Sequence, residues 1–302
     1  MSNRAKIVAI VLWSLVAVAL IAVLVLYFTT DLFSSLSWKR EPHIVYETTL
    51  EGDTVRSVEV KWRAGEVRIV PSEEGSVSVR QTSGYDVKPL LLSHEDGRLV
   101  LEEQQSFGFY FFGFGTQPST LELRLPQQVY DRLLVQISSG DAAVEGVQAQ
   151  EIGLRMTSGD MEVSALTAGT LSIDMTSGDL TASGCTADTL QVESTSGDFE
   201  IAGGRFAHIT ASSTSGTAYI ESLTVPDRFE GKLTSGKMVL TVPENDGFSL
   251  LWEKSSGDVR TAGFGLEDYT DSRKGKVNYG TNVEREYRVE MTSGTFELKK
   301  GA

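Results

Sequence analysis

The chain has 302 residues, 40% of them hydrophobic, and its 41 Asp and Glu outnumber 27 Lys and Arg for a net charge of −14. That balance leaves no basic track for nucleic acid and no cationic surface for docking the middle of the chain on anionic lipid. A single cysteine, Cys185, excludes an intrachain disulfide.

Residues 1–6 form a short tail carrying Arg4 and Lys6. From Ile7 to Phe28 there are 22 residues with no charge and one serine, Ser14, enough for a transmembrane helix. The span is long for a signal-peptide core, and no small-x-small cleavage site follows Phe28. Arg4 and Lys6 precede it and Asp31 follows, so the positive-inside rule puts the tail in the cytoplasm and the body outside the cell membrane. Trp13 falls within the bilayer, while Tyr27, Phe33 and Trp38 suit interfacial depth. Residues 29–56 are a juxtamembrane linker.

Residues 57–137 alternate apolar and polar positions, as half-buried strands do. Val58, Val60 and Trp62, then Val67 and Ile69, then Val77 and Val79 carry the apolar phase. Gly65 and Gly84, 19 apart, suggest an irregular beginning of the regular array that follows, with a small separate β domain as the alternative. The alternation is interrupted at 106–116 by Phe107, Phe109, Tyr110, Phe111, Phe112 and Phe114. These aromatics either close the open end of a core or touch the bilayer or a partner protein.

Residues 138–302 repeat. Thr-Ser-Gly-Asp stands at 157–160, 176–179 and 195–198, with looser copies at 138–141, 214–217, 234–237, 255–258 and 292–295. The glycines from Gly140 to Gly257 are spaced 19, 19, 19, 19, 20 and 21. The last gap, 37, divides into 18 and 19 if Gly275 is a worn copy. A fixed period with one turn per unit means a repeat architecture. Within a unit, such as Leu171-Ser172-Ile173-Asp174-Met175, the period is 2, and Gly178-Asp179 and Ser183-Gly184 break it. The expected fold is all-β: a parallel β-solenoid with coils of about 19 residues, preceded by the one transmembrane helix. Stacking would set Leu154, Leu171, Leu190 and Ile209 in an inner ladder, and Ser158, Ser177, Ser196 and Ser215 in another where only a small side chain fits. Cys185 falls at a turn as a small packed residue.

Catalytic signals are poor. His43, His94 and His208 are scattered, with no metal-ligand spacing, no GxSxG elbow and no phosphate loop. The reading is therefore not an enzyme, with no cofactor. The sharpest candidate site is the column Asp141, Asp160, Asp179 and Asp198. Stacked carboxylates about 5 Å apart repel by about 1 kcal/mol even in water. Either each accepts a hydrogen bond from its own turn, or Ca²⁺ bridges neighbours. The calcium-roll nonapeptide GGxGxD is missing, which favours the first. From Ser138 to Asp227 there are 13 acids against Arg155 and Arg205, and from Arg228 to Ala302 there are 12 acids and 12 bases.

The TSGD turns at 19-residue spacing, the Ala64-Gly65-Glu66-Val67 start and Leu121-Glu122-Leu123-Arg124-Leu125-Pro126 resemble the bacterial putative-adhesin domain family, a domain of unknown function. Members include membrane-anchored proteins of the Lia envelope-stress operons. The resemblance covers residues 57–300 and implies a β-solenoid, no enzyme and no established ligand. The Asp column departs from the pattern at Thr217, Lys237 and Thr295. The expected function is a membrane-anchored, extracytoplasmic binding or scaffolding module, a putative adhesin or cell-envelope stress protein. Its partner would be a protein or an envelope polymer. The alternatives are a polymerising cytoskeletal β-helix of the bactofilin kind on the cytoplasmic side and a polysaccharide-acting β-helix enzyme.

Overall fold

A computed structural model of the protein describes Trp13 and residues 41–105, 107–110 and 113–301. The expected membrane helix Ile7–Phe28 lies, apart from Trp13, outside the described residues, among which no helix is long and apolar enough to cross a membrane. His43–Ala302 is one compact unit, and its described residues are all β apart from two single 3-10 turns.

Its first part contains β1 (His43–Glu51), β2 (Ser57–Ser72), β3 (Ser76–Ser83), β4 (Leu91–Glu95), β5 (Arg98–Glu102), β6 (Phe107–Tyr110), β7 (Gly113–Thr116) and β8 (Ser119–Pro126). The central strands are β9 (Val129–Glu145), β10 (Gln148–Ser158), β11 (Met161–Ser164), β12 (Thr167–Ser177), β13 (Leu180–Ser183), β14 (Thr186–Ser196), β15 (Phe199–Ser213) and β16 (Thr217–Ser222). The last are β17 (Arg228–Leu233), β18 (Lys237–Val242), β19 (Gly247–Lys254), β20 (Asp258–Arg260), β21 (Lys274–Gly280), β22 (Glu286–Met291) and β23 (Thr295–Lys300).

The 19-residue period is the rise of one coil. β10, β12 and β14 pair in parallel with each residue opposite the one 19 later, as in Ile152↔Leu171↔Leu190. β11, β13 and the start of β15 do the same on the other side of the coil, as in Val163↔Ala182↔Ile201. A long strand, a Thr-Ser-Gly-Asp corner, a short strand and a second corner thus make each coil. Alternation sends Leu171, Ile173, Met175, Leu180 and Ala182 inward, all buried, and their neighbours outward. Each buried Leu or Ile stabilises the stack by about 1.5–3 kcal/mol.

Two expected ladders are corrected. The ladder of Leu171, Leu190 and Ile209 continues through Ile152 to Leu133, whereas Leu154 stands two residues further along the strand, with Val135, Ile173 and Val192. Ser158, Ser177, Ser196 and Ser215 are exposed, because the strand has already turned outward at the corner. The residue with no room there is the glycine that follows. Gly140, Gly159, Gly178 and Gly197 all have φ between 109° and 124°. A Cβ on Gly178 would lie 1.8 Å from the carbonyl oxygen of Gly159, so coils can touch here only through bare backbone.

Both ends depart from chain order. β2 stacks in parallel on β9, Val58 opposite Leu133 and Gly65 opposite Gly140. β5 and β8 then stack on the two halves of β2, so they are the outer coil although they follow it in sequence. Antiparallel β4 lies on β5, and β3 with β1 lies on β8, closing that end. At the other end β22 lies between β17 and β19, and β23 lies between β18 and β20. The last coil in sequence is therefore the second to last in space, with β21 antiparallel on β19 beyond it. Neither Gly84 nor Gly275 is a corner glycine. Gly84 follows antiparallel β3, and Gly275 lies within β21, where a Cβ would meet the Trp252 ring at 2.0 Å.

Candidate functional site

The Thr-Ser-Gly-Asp corners align along one edge of the solenoid. Asp141, Asp160, Asp179 and Asp198 are exposed there, one per coil, together with the hydroxyls of Thr157, Thr176, Thr195 and Thr214. Each carboxylate is tied to the next coil and not to its own turn. The amide of Asp160 donates to Asp141 Oδ1 (3.2 Å), that of Asp179 to Asp160 Oδ1 (3.2 Å), that of Asp198 to Asp179 Oδ1 (3.1 Å), and that of Thr217 to Asp198 Oδ1 (2.7 Å). Parallel stacking explains this. Each Asp amide points along the solenoid axis, so the equivalent carboxylate one coil away meets it, and each such bond offsets about the 1 kcal/mol of like-charge repulsion. Asp141, Asp160 and Asp179 line a shallow, open depression with Glu66, Arg68 and Glu162. Among the described residues no three His, Cys, Asp or Glu side chains converge as a metal set.

The solenoid flanks beside this edge are cross-linked between coils. Arg155 pairs with Asp174 (2.9 Å) and Arg132 with Glu151 (3.0 Å), each 19 residues away and so directly above or below. Nearer the start, Glu59 accepts from Arg98 and from Lys61 (2.9 Å), and these two contacts, Arg98 first, hold its carboxyl below the usual range.

The aromatic segment replaces a corner in the outer coil. β5 and β8 flank it, just where the other coils carry Thr-Ser-Gly-Asp. β6 and β7 pair with each other as a two-stranded sheet, Phe109 opposite Phe114 and Gly108 opposite Gly115. Phe107, Phe109, Tyr110 and Phe114 are thus brought together along the chain by a hairpin, while Phe111 and Phe112 lie outside the described residues.

At the hairpin's base is a buried polar cluster that sequence reasoning missed. Glu103 is 4% exposed. Its carboxylate accepts the amides of Arg63 (2.7 Å) and Ala64 (3.0 Å) and the Ser119 hydroxyl (2.6 Å). Trp62 Nε1 donates to the Ser119 carbonyl (3.0 Å), and Gln81 Nε2 donates to the Ser119 hydroxyl (3.2 Å). In regular coils a corner amide finds the carbonyl of the neighbouring coil, as Thr214 finds Ser194 O (3.0 Å). The hairpin removes those carbonyls, and the Glu103 carboxylate stands in for them. The signal in the sequence was an acid at the last position before a long insertion, which no periodicity marks.

His43 and His94 are at the N-terminal end and His208 is on an outer flank in the middle coils, in register with Thr189 and Arg228. They do not meet. Cys185 is buried beside the Gly184 turn, and burial pushes its thiol pKa up.

The fold has solved counterparts. A Bacteroides fragilis protein described as a putative adhesin superposes with a TM-score of 0.51 at 13% identity, over 84% of this chain and 96% of that one. A Parabacteroides merdae putative adhesin matches at 10% identity with a TM-score of 0.40, over 84% and 96% of the two chains. A Clostridium sporogenes putative cell adhesion protein matches at 13% identity with a TM-score of 0.32, over 86% and 100%. No curated protein matches. The family model Toastrack DUF4097 matches residues 55–299, from the first strand of the parallel stack to its last, and the chain belongs to that family.

Proposed function

We infer that this protein is a single-pass, membrane-anchored module that displays its solenoid outside the cell membrane and binds or scaffolds a protein or envelope polymer without catalysis. The observation that carries the reading is the corner edge. Its Asp and Thr columns repeat once per coil, their spacing is fixed by hydrogen bonds between coils, and they are exposed. A rigid periodic surface of that kind suits an extended partner that repeats along its length. Its net charge of −11 between Ser138 and Asp227 favours a partner with cationic or hydrogen-bond-donating groups. The uncharged span Ile7–Phe28 behind Arg4 and Lys6 supplies the anchor and its orientation. The Bacteroides fragilis structure described as a putative adhesin supports a binding role by analogy of fold alone.

The cytoskeletal reading is weaker. Polymerisation end to end needs open strand edges, and the outer strand at the C-terminal end, β21, carries Lys274 and Lys276, charges that discourage edge pairing. The test is a C-terminal alkaline phosphatase fusion. It is expected to be active in the parent and to lose activity when residues 7–28 are deleted. An inactive phosphatase fusion beside a fluorescent cytoplasmic reporter fusion overturns the reading.

A further inference from the structure

The C-terminal end of the solenoid is built out of order. Residues 286–300 form a strap whose two strands are paired on both sides, with β17 and β18 below and β19 and β20 above. The 247–280 segment above it is a lid with its own bonding. β21 covers the outer edge of β19, and Lys254 Nζ, buried, donates to the carbonyls of Gly257, Tyr269 (2.7 Å) and Thr270 (2.8 Å). Two short links, 243–246 and 281–285, join the lid to the rest.

These links are clasped to each other. The Asp246 carbonyl accepts the amides of Thr281 (2.8 Å) and Asn282 (3.1 Å). Its carboxylate accepts from Arg285 and from Asn282 Nδ2 (3.3 Å). Arg285 also donates to the Gly247 carbonyl (3.2 Å) and stands 3.9 Å from Asp227, in the coil below the strap. One side chain at the corner of the strap therefore touches both coils that the strap separates.

The lid has another place to go. Gly257 follows Gly236 by 21 residues, close to the repeat spacing, so the 247–260 coil could stack directly on 228–242 as the coils from β10 to β18 do on their predecessors. The two coils carry matching corner glycines, Gly236 with φ 107° and Gly257 with φ 94°. The strap occupies that place instead. We propose that 286–300 is a displaceable strap, held between lid and body by the Arg285–Asp246 clasp, and that the lid coil closes onto 228–242 when the strap leaves.

Disulfide trapping separates the two arrangements. Lys232, Glu290 and Glu253 are exposed and stand in one column, in that order. With the strap in place, 232 and 253 are two coil spacings apart, about 9.6 Å, too far for a disulfide, which needs Cα atoms within about 7 Å. With the strap out they are one spacing apart. In the full chain, where Cys185 is buried, the pair Lys232→Cys with Glu290→Cys is expected to close at once and confirm the arrangement seen here. The pair Lys232→Cys with Glu253→Cys is expected to close intramolecularly but slowly, and about tenfold or more faster when Arg285→Gln opens the clasp. If the first pair closes while the second stays reduced with and without Arg285→Gln, the strap does not leave and the proposal fails. If the second pair closes at a rate that Arg285→Gln does not change, the clasp does not hold the strap and that part fails.

Discussion

Replacing Gly178 by alanine tests the corner that sets the coil period. A Cβ there would lie 1.8 Å from the Gly159 carbonyl oxygen, about 1.2 Å inside the 3.0 Å that real Cβ atoms respect. The obstacle is backbone, so no rotamer change relieves it. The backbone at φ 109° adds strain of about 1–3 kcal/mol for an L-residue. Forcing the corner apart adds about 1–3 kcal/mol of overpacking. It also stretches the bond from the Met161 amide to the Asp179 carbonyl (2.9 Å) and that from the Asp179 amide to Asp160 Oδ1 (3.2 Å), which cross the same seam and are worth about 1 kcal/mol each. The expected loss is about 4–8 kcal/mol. Gly184→Ala is the matched control. It has φ 61° and nothing within 4 Å of its Cβ position, so αL strain of about 1–2 kcal/mol is partly offset by a stiffer unfolded chain. Urea titrations of both variants and the parent, followed by tryptophan fluorescence and circular dichroism, give the comparison. Equal midpoints for Gly178→Ala and Gly184→Ala would refute the stacked-glycine corner.

Three further outcomes follow from the contacts. Asp160→Asn with Asp179→Asn is expected to be neutral or slightly stabilising, since an amide oxygen still accepts the next coil's amide while two like charges leave the column; a saturable, Ca²⁺-specific rise in the parent's melting temperature that this double variant loses would show a metal ladder instead. Glu103→Ala leaves two corner amides and the Ser119 hydroxyl without their acceptor and is expected to cost about 3 kcal/mol or more, read as a lower denaturation midpoint and faster amide exchange at Arg63 and Ala64. Burial pushes the Tyr130 hydroxyl up to about 12 from its ordinary 10.0, and raises Tyr287 as well. The Tyr130 contribution is complete below pH 10.0 and lost as the pH rises through about 12, so the melting temperature is expected to fall across that window, and Tyr130→Phe to flatten the fall.

The fold was legible because a solenoid writes its geometry into the sequence. Gly140, Gly159, Gly178 and Gly197 recur every 19 residues, since each lies against the corner carbonyl of the coil stacked before it, and the alternation around them leaves no helical phase. The order of coils at the two ends was not legible. Repeat spacing records the length of a coil, and it carries no information on which coil a strand lies against. Gly275 therefore passed for a corner although Trp252 covers it, and β22 gives no sign that it enters beneath β19. The Asp column stands on one edge, as stacking at the repeat spacing requires, but its hydrogen bonds run between coils, because the bonding direction at a corner follows the stacking axis. Glu103 escaped for a related reason. A buried acid satisfied by two backbone amides and a hydroxyl has no partner visible in the sequence.

The central claim is that the solenoid edge faces the outside of the cell membrane. Ser177→Cys puts a thiol on the exposed corner, while Cys185, 1% exposed, leaves the parent as an unreactive reference. Intact cells or wall-free spheroplasts are treated with a membrane-impermeant maleimide before any lysis. The account predicts labelling of Ser177→Cys in intact spheroplasts, with no labelling of the parent. Labelling that develops only after the membrane is permeabilised would place the body on the cytoplasmic side and contradict it.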